Sequence, residues 1–286
     1  MDNQAEVRDF LTSRRARITP EQAGLPSLGT ARRVQGLRRE EVATLAGVSV
    51  DYYNRMERGN LNGVSEPVLE AVAAALQLDD AERTHLFDLA YAAPRGTRPR
   101  RVSHRDRLRP SIRHLLHAMT DVPAYVRNGR TDILAMNRLG AALFPQLAGD
   151  GHTPVNLTRA LFLDPGTQEC FVEWETVARQ SVAALRIEAG RSPHDRALTD
   201  LVGELSTRSE PFRTWWATHN VRLHTTATKK LRHPLVGDIE VTGEALALPA
   251  DPGLTMIAYS VEPHSAAAEN LRLLASWAAS ADVRTP

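Results

Sequence analysis

Within Leu37 to Gly59, LRREEVATLAGVSVDYYNRMERG, five side chains carry the charge, donors and acceptors that nucleic-acid recognition uses: Asp51, Tyr52, Asn54, Arg55 and Arg58. Helical spacing leaves them on the outer sides of one short helix, while Tyr53 and Met56 fall together as core contacts. A helix decorated in this way and braced by a second one is the arrangement that enters the major groove of DNA.

The elements that position these residues are legible in the same stretch. Leu37 precedes a polar first turn, Arg38, Arg39, Glu40 and Glu41, after which Val42, Leu45 and Ala46 form an apolar stripe. Gly47 stands where the first helix must stop and reverse, a place that calls for a left-handed residue. Ser49 follows as the N-cap of the second helix. Val48 and Tyr53 occupy the two positions of a hydrophobic staple. A purely structural helical hairpin is the plainer reading of two helices and a turn. The glycine, cap and staple, each at its required offset, favour the DNA-reading one.

Composition sets the surrounding limits. A chain of 286 residues with 42% hydrophobic residues has room for two ordinary domains and their cores. No apolar run approaches the ~20 residues that span a bilayer, so no membrane partner is expected. MDNQAEVRDF is acidic and amphipathic, unlike a secretory signal. The single cysteine, Cys170, excludes an intramolecular disulfide framework and fits a reducing cytosol. Net charge is only +1, but it is unevenly spread: 18 arginines face 15 acids before Pro110, and 17 basic residues face 19 acids after it. Lys229 and Lys230 are the only lysines.

A first helix is expected from about residue 5 to 17, the helix pair follows, and two more helices use Ser65 and Asp79 or Asp80 as caps. These give an all-α module of five helices over residues 1–93. Residues 94–106, rich in arginine with two prolines and a glycine, read as a basic linker that either tracks phosphates or is simply solvated. Residues 107–286 then alternate between the two periods. An amphipathic helix carries Leu108, Ile112, Leu115, Leu116 and Met119, and a hairpin turns at Asn128-Gly129. Further helices are marked by Phe171 to Leu185 and by Leu198 to Leu205. Strands are expected at 221–226, 239–248 and 254–261, and a terminal helix carries Leu271, Leu274 and Trp277. The order predicts an α+β domain whose antiparallel sheet has about five strands, with helices on one face, of a kind that often encloses a ligand.

LRREEVATLAGVS and YYNRMERG resemble the Xre-type helix-turn-helix regulators. Their pairing with WWATHNV and KKLRHPLVGDIEV is similar to the MmyB-like (MltR-type) bacterial transcription regulators, over nearly the whole chain. The resemblance implies a PAS-like ligand-binding fold for the second domain. It also implies that Ser49 to Arg58 is the recognition helix, with Arg38 and Arg39 beginning the supporting helix beside the DNA backbone. Arg39 falls where many relatives hold a phosphate with Gln. Asp51, Tyr52, Asn54 and Arg55 match the positions that reach bases: Asp51 suits a cytosine amino group, Tyr52 a thymine methyl, and Arg55 a guanine. Arg58, a turn later, suits a phosphate or a neighbouring acid. One such module makes few contacts, so a homodimer on a palindromic double-stranded DNA operator is expected.

For the second domain the resemblance points to a small lipophilic effector such as a fatty acid. Tyr125, Phe171, Trp174, Phe212, Trp215 and Trp216 are candidates for its walls, and His219 and Arg222 for a polar end, with His224 and His233 alongside. Ordinary core has the same composition, so both readings of the aromatic residues stand. A domain that only dimerises or contacts another protein is the alternative function. No cofactor and no metal are expected, because the histidines lack regular ligand spacing and Cys170 is remote. No GxSxG, P-loop or dinucleotide motif is present, and Glu173 and Glu175 fall on different sides of a helix, so enzyme activity is not expected. A DNA partner implies a cytoplasmic, nucleoid-associated protein.

Overall fold

The computed structural model describes residues 3–25, 36–92, 108–149, 154–218 and 226–282. Contacts divide the chain into two compact units. The first contains Met1–Arg98 together with Arg186–Asp200 and Thr214–Arg222; the second contains the remainder. The expected linker 94–106 and both boundary residues beside it, 93 and 107, lie outside the described residues.

Five helices build the first unit: α1 (Asn3–Arg17), α2 (Arg39–Leu45), α3 (Val50–Glu57), α4 (Glu66–Ala75) and α5 (Asp80–Ala92). Each turns an apolar side inward, and Val7, Phe10, Leu11, Val42, Tyr53, Met56, Leu69, Val72, Leu86 and Leu89 form one core with Ile187. The N-terminal signals act as expected in α3, where Ser49 Oγ accepts from the Tyr52 amide at 3.1 Å. Asp79 Oδ1 caps α5 through the Glu82 amide at 2.9 Å. Ser65 stands at the N-cap of α4 but its hydroxyl makes no capping bond. Gly47 adopts φ +64° at the turn between α2 and α3. The stripe on α2 differs from expectation: Val42, Ala43 and Ala46 are buried, whereas Leu45, in the last position of this seven-residue helix, is 38% exposed.

The second part of the chain contains α6 (Pro110–Ala118), β1 (Ala124–Arg127), β2 (Ile133–Met136), α7 (Arg138–Leu143), α8 (Leu157–Leu163), α9 (Pro165–Cys170), α10 (Trp174–Arg191), α11 (Arg196–Arg208) and α12 (Glu210–Ala217). It ends with β3 (Thr226–His233), β4 (Gly237–Ala247), β5 (Thr255–Ser260) and α13 (Ala266–Asp282). The five strands form one antiparallel sheet in the order β2-β1-β5-β4-β3. Asn128 closes the β1–β2 hairpin, donating to Asp132 Oδ2 at 2.9 Å while its own Oδ1 accepts the Asp132 amide at 3.0 Å.

Two expectations for this part are corrected. Helices cover both faces of the sheet, because β1 and β5 bury consecutive residues on both sides. Leu116 of α6 packs on the face bearing Ala124, Val126 and Met256, and Phe144 and Phe171 pack on the other. The third strand runs over Thr226–His233, well past the expected end at 226; of the expected segment, 221–225 lie outside the described residues. Its residues TATKKLRH alternate, and the basic pair in the middle obscures a strand pattern that burial makes plain.

Candidate functional site

α3 sorts its residues as the spacing predicts. Tyr53 and Met56 are fully buried, Asp51, Arg55 and Arg58 are exposed, and Tyr52 and Asn54 are half-buried. The Arg55 guanidinium lies 4.7 Å from the centre of the Tyr52 ring, so two candidate base-reading residues form a cation–π pair on the outer side of the helix. Asn54 Oδ1 is buried without a hydrogen bond. Ser49 is occupied in capping.

The supporting helix is tied to α3 by charge. Glu57, 1% exposed at its side chain, accepts from Arg15 Nε at 2.7 Å, from Thr12 Oγ1 at 3.2 Å and from Arg39. The Arg39 side chain is half-exposed, so its Nε is committed to the fold while its outer end reaches solvent. Arg38 caps α2 with its backbone, its amide donating to Glu41 Oε2 at 2.6 Å, and its guanidinium lies 3.4 Å from Glu40. Tyr53, wrapped by this network, has its hydroxyl pushed well above the ordinary tyrosine range by burial. The result is a polar strut beneath the outward residues of α3.

Six of the ligand-site candidates, Tyr125, Phe171, Trp174, Phe212, Trp215 and Trp216, lie among the described residues. Tyr125 and Phe171 belong to an aromatic row on one face of the sheet. Trp174 and Phe212 flank Phe162 edge-on at 5.9 and 5.2 Å, with the Trp174 indole N–H donating to the Leu161 carbonyl at 2.7 Å. Trp215 and Trp216 fall in the first unit, where the Arg186 guanidinium sits 3.8 Å from the Trp216 ring centre. His219 and Arg222 lie outside the described residues, as does His224. His233 is buried with both nitrogens used: Nδ1 accepts the Leu235 amide at 3.2 Å, which leaves Nε2 to donate to the Ala142 carbonyl at 2.9 Å.

The aromatic row is the most developed feature of the second unit. Phe171 stacks on Phe144 at 6.1 Å, Phe144 meets Tyr259 at 5.2 Å, and Tyr259 meets Tyr125 at 6.2 Å. Gly243, opposite Tyr259 in the β4–β5 ladder, makes room for its ring, since an added Cβ would lie 2.8 Å from Tyr259 Cε1. Pairing then places Lys229 of β3 on the same face, through Val241, its partner on β4. Lys229 Nζ donates to Tyr259 Oη at 3.3 Å. Tyr259, Phe144 and Lys229 are absent from the candidates drawn from sequence. The available signal was the alternation of TATKKLRH, which puts Lys229 inward with Leu231, in a chain with only two lysines.

Among the described residues, no three His, Cys, Asp or Glu side chains come together as a metal site. No helix there is long and apolar enough to cross a membrane. Cys170 is a buried free thiol whose pKa burial raises, which makes it inert packing.

Comparison with known families gives two matches. Residues 108–274 match the MmyB-like transcription regulator ligand binding domain, and residues 10–86 match a helix-turn-helix domain. A search of curated proteins gave no match.

Proposed function

This chain belongs to the MmyB-like transcription regulators, and from that premise we propose that it binds a palindromic operator as a homodimer under the control of a lipophilic, fatty-acid-like effector. It is a DNA-binding helix-turn-helix regulator with a ligand-binding domain, and both matched families are regulatory or binding modules rather than enzymes. The observation that carries the effector reading is the contiguous row Phe171–Phe144–Tyr259–Tyr125 on one face of the sheet. A wall of that kind suits an apolar chain. Arg55 and Tyr52, with Asp51 and Asn54, read bases in this proposal, while Arg38, Arg39 and Arg58 hold phosphates and Ser49 sets the helix start. The chromosome as target places the protein in the cytoplasm with the nucleoid.

Control follows from linkage. An effector that binds one conformation more tightly shifts the population of dimers whose two recognition helices match the half-site spacing. Footprinting upstream of the protein's own gene tests the DNA half of this reading: two protected half-sites about one helical turn apart are expected, and a single unrepeated site overturns the dimer. A native mass spectrum of protein from its host tests the other half. A retained lipophilic molecule supports the sensor, whereas protein that emerges empty and binds no lipid added back leaves a domain that only dimerises or meets another protein.

A further inference from the structure

Of the four tryptophans, Trp277 alone is exposed. It sits on α13, which turns Leu271, Leu274 and Ala278 inward and packs against α7 and β4. That is the face a surface helix is expected to bury. Leu273 and Trp277 lie off it, one turn apart on another side of the helix, 62% and 54% exposed. The Trp277 indole has no hydrogen-bond or ring partner among the described residues.

Single exposed apolar residues are ordinary on a protein surface, but these two belong to a pattern. Ala266, Asn270, Leu273, Trp277 and Ser280 follow one another at steps of four, three, four and three residues. That alternation keeps successive side chains on one line along the axis and is the spacing of a stripe that pairs with another helix. Leu235, also exposed, stands in the turn after β3, and Asn270 fastens that turn to α13 by donating Nδ2 to the Val236 carbonyl at 3.1 Å.

The residue types along the stripe select the helix that fits it. Turned end for end about Ala275, the stripe repeats itself by type: Leu273 exchanges with Trp277, and Asn270 with Ser280. An antiparallel copy therefore sets each leucine against a tryptophan and each polar end against another polar end. Glu269 and Arg272 are the only charges between 266 and 280, so two copies bring acids and bases in equal number. Ser276, Ala279 and Ser280 on the exposed side are small and leave room for the indole. A pair of this kind is closed and two-fold symmetric.

We propose that α13 is the dimerisation helix, two copies of this chain pairing antiparallel through Leu273 and Trp277. This rests on the homodimer reading above and supplies its surface. The matched stretch, 270–280, is about 16 Å long, so it buries less than the roughly 800 Å² per partner of a standard interface. The free pair is accordingly weak and concentration-dependent, and DNA that holds both copies strengthens it by raising their effective concentration.

The test is sedimentation velocity of the full-length protein from about 1 to 200 µM. Wild type is expected to pass from monomer to dimer across that range. Leu273→Lys and Trp277→Glu should each weaken self-association at least about tenfold. Leu115→Lys, at an equally exposed position on α6, should leave it unchanged. Mixing the Leu273→Lys and Trp277→Glu proteins should restore the dimer, because a mixed antiparallel pair keeps one Leu–Trp contact and gains one Lys–Glu contact. Circular dichroism shows whether each variant is folded, and Leu273→Glu with Trp277→Lys is the reciprocal pair if either is not. Dimerisation that survives in the folded variants overturns the α13 pair and leaves the homodimer reading intact, with its interface elsewhere. Variants that dissociate but do not recover on mixing also overturn it. Wild type that stays monomeric throughout does the same, and two footprinted half-sites would then keep the homodimer on DNA while a single site would remove both.

Discussion

Arg15 of α1 donates its Nε to Glu57 Oε1 at the end of α3, at 2.7 Å and almost wholly out of water. Arg39 takes the other carboxylate oxygen from α2. Three helices are therefore referenced to one buried carboxylate, and the outward residues of α3 inherit their position from it. Removing one partner of a buried pair leaves an uncompensated charge, which costs about 3–5 kcal/mol.

Glu57→Ala is accordingly expected to lower the unfolding free energy by about that amount, seen as a shifted urea midpoint. Arg39→Ala removes a half-exposed partner and should cost at most about 1 kcal/mol. It should also make the salt dependence of DNA binding shallower by about one phosphate contact. An unchanged salt slope would reduce Arg39 to a purely structural role.

Arg55→Ala separates base reading from general attraction. Stacked over Tyr52 on the outer side of α3, Arg55 is placed to meet a guanine. Its loss should weaken operator binding by about 1–3 kcal/mol and weaken binding to random DNA much less. Equal losses in both gel-shift titrations would assign Arg55 to phosphate.

Arg186 tests a structural dependence that separate domain boundaries do not suggest. It is 1% exposed, its Nη1 donates to Glu6 of α1 at 2.6 Å, and it also donates to the Trp216 carbonyl. Arg186→Ala should destabilise the first unit by about 3–5 kcal/mol. Arg191→Ala, which breaks an exposed pair with Asp88 at 2.9 Å, should cost no more than about 1 kcal/mol. Similar melting shifts for the two variants would contradict this account.

Asp132 gives the hairpin a pH dependence. Burial alone would raise its pKa, but hydrogen bonds from Asn156 and Asn128 and the charge of Arg130 outweigh burial and hold it below the ordinary carboxylate value. A folded-state pKa below the unfolded value of about 3.9 stabilises the protein above that pH, and the stabilisation is lost as pH falls through the folded value. Asp132→Asn should therefore destabilise at pH 7 by about 1–3 kcal/mol and show a smaller further loss between pH 5 and pH 2, measured by urea midpoints across about that range.

Much of this molecule was legible locally. Gly47, Ser49 and the polar first turn of α2 specify the helix pair, because turn conformation and capping involve residues only a few positions apart. Asn128-Gly129 marks the hairpin, and the alternation of elements anticipates an antiparallel sheet of five strands. Where basic residues interrupt the alternation, as in TATKKLRH, the far end of the strand is not legible. The composition of pocket and core is shared, so the aromatic candidates were scattered over three places.

For the opening residues, sequence alone decided which side chains of α3 face outward and which hold it down, since a helix of eight residues repeats every 3.6. Only the tertiary structure decided what sits beneath them: Glu57 draws Thr12 and Arg15 from more than forty residues away. In the second unit, Lys229, Tyr259 and Tyr125 come together through the strand order β1-β5-β4-β3. That order depends on which strands bury both faces, a property of the packed sheet rather than of any segment read alone.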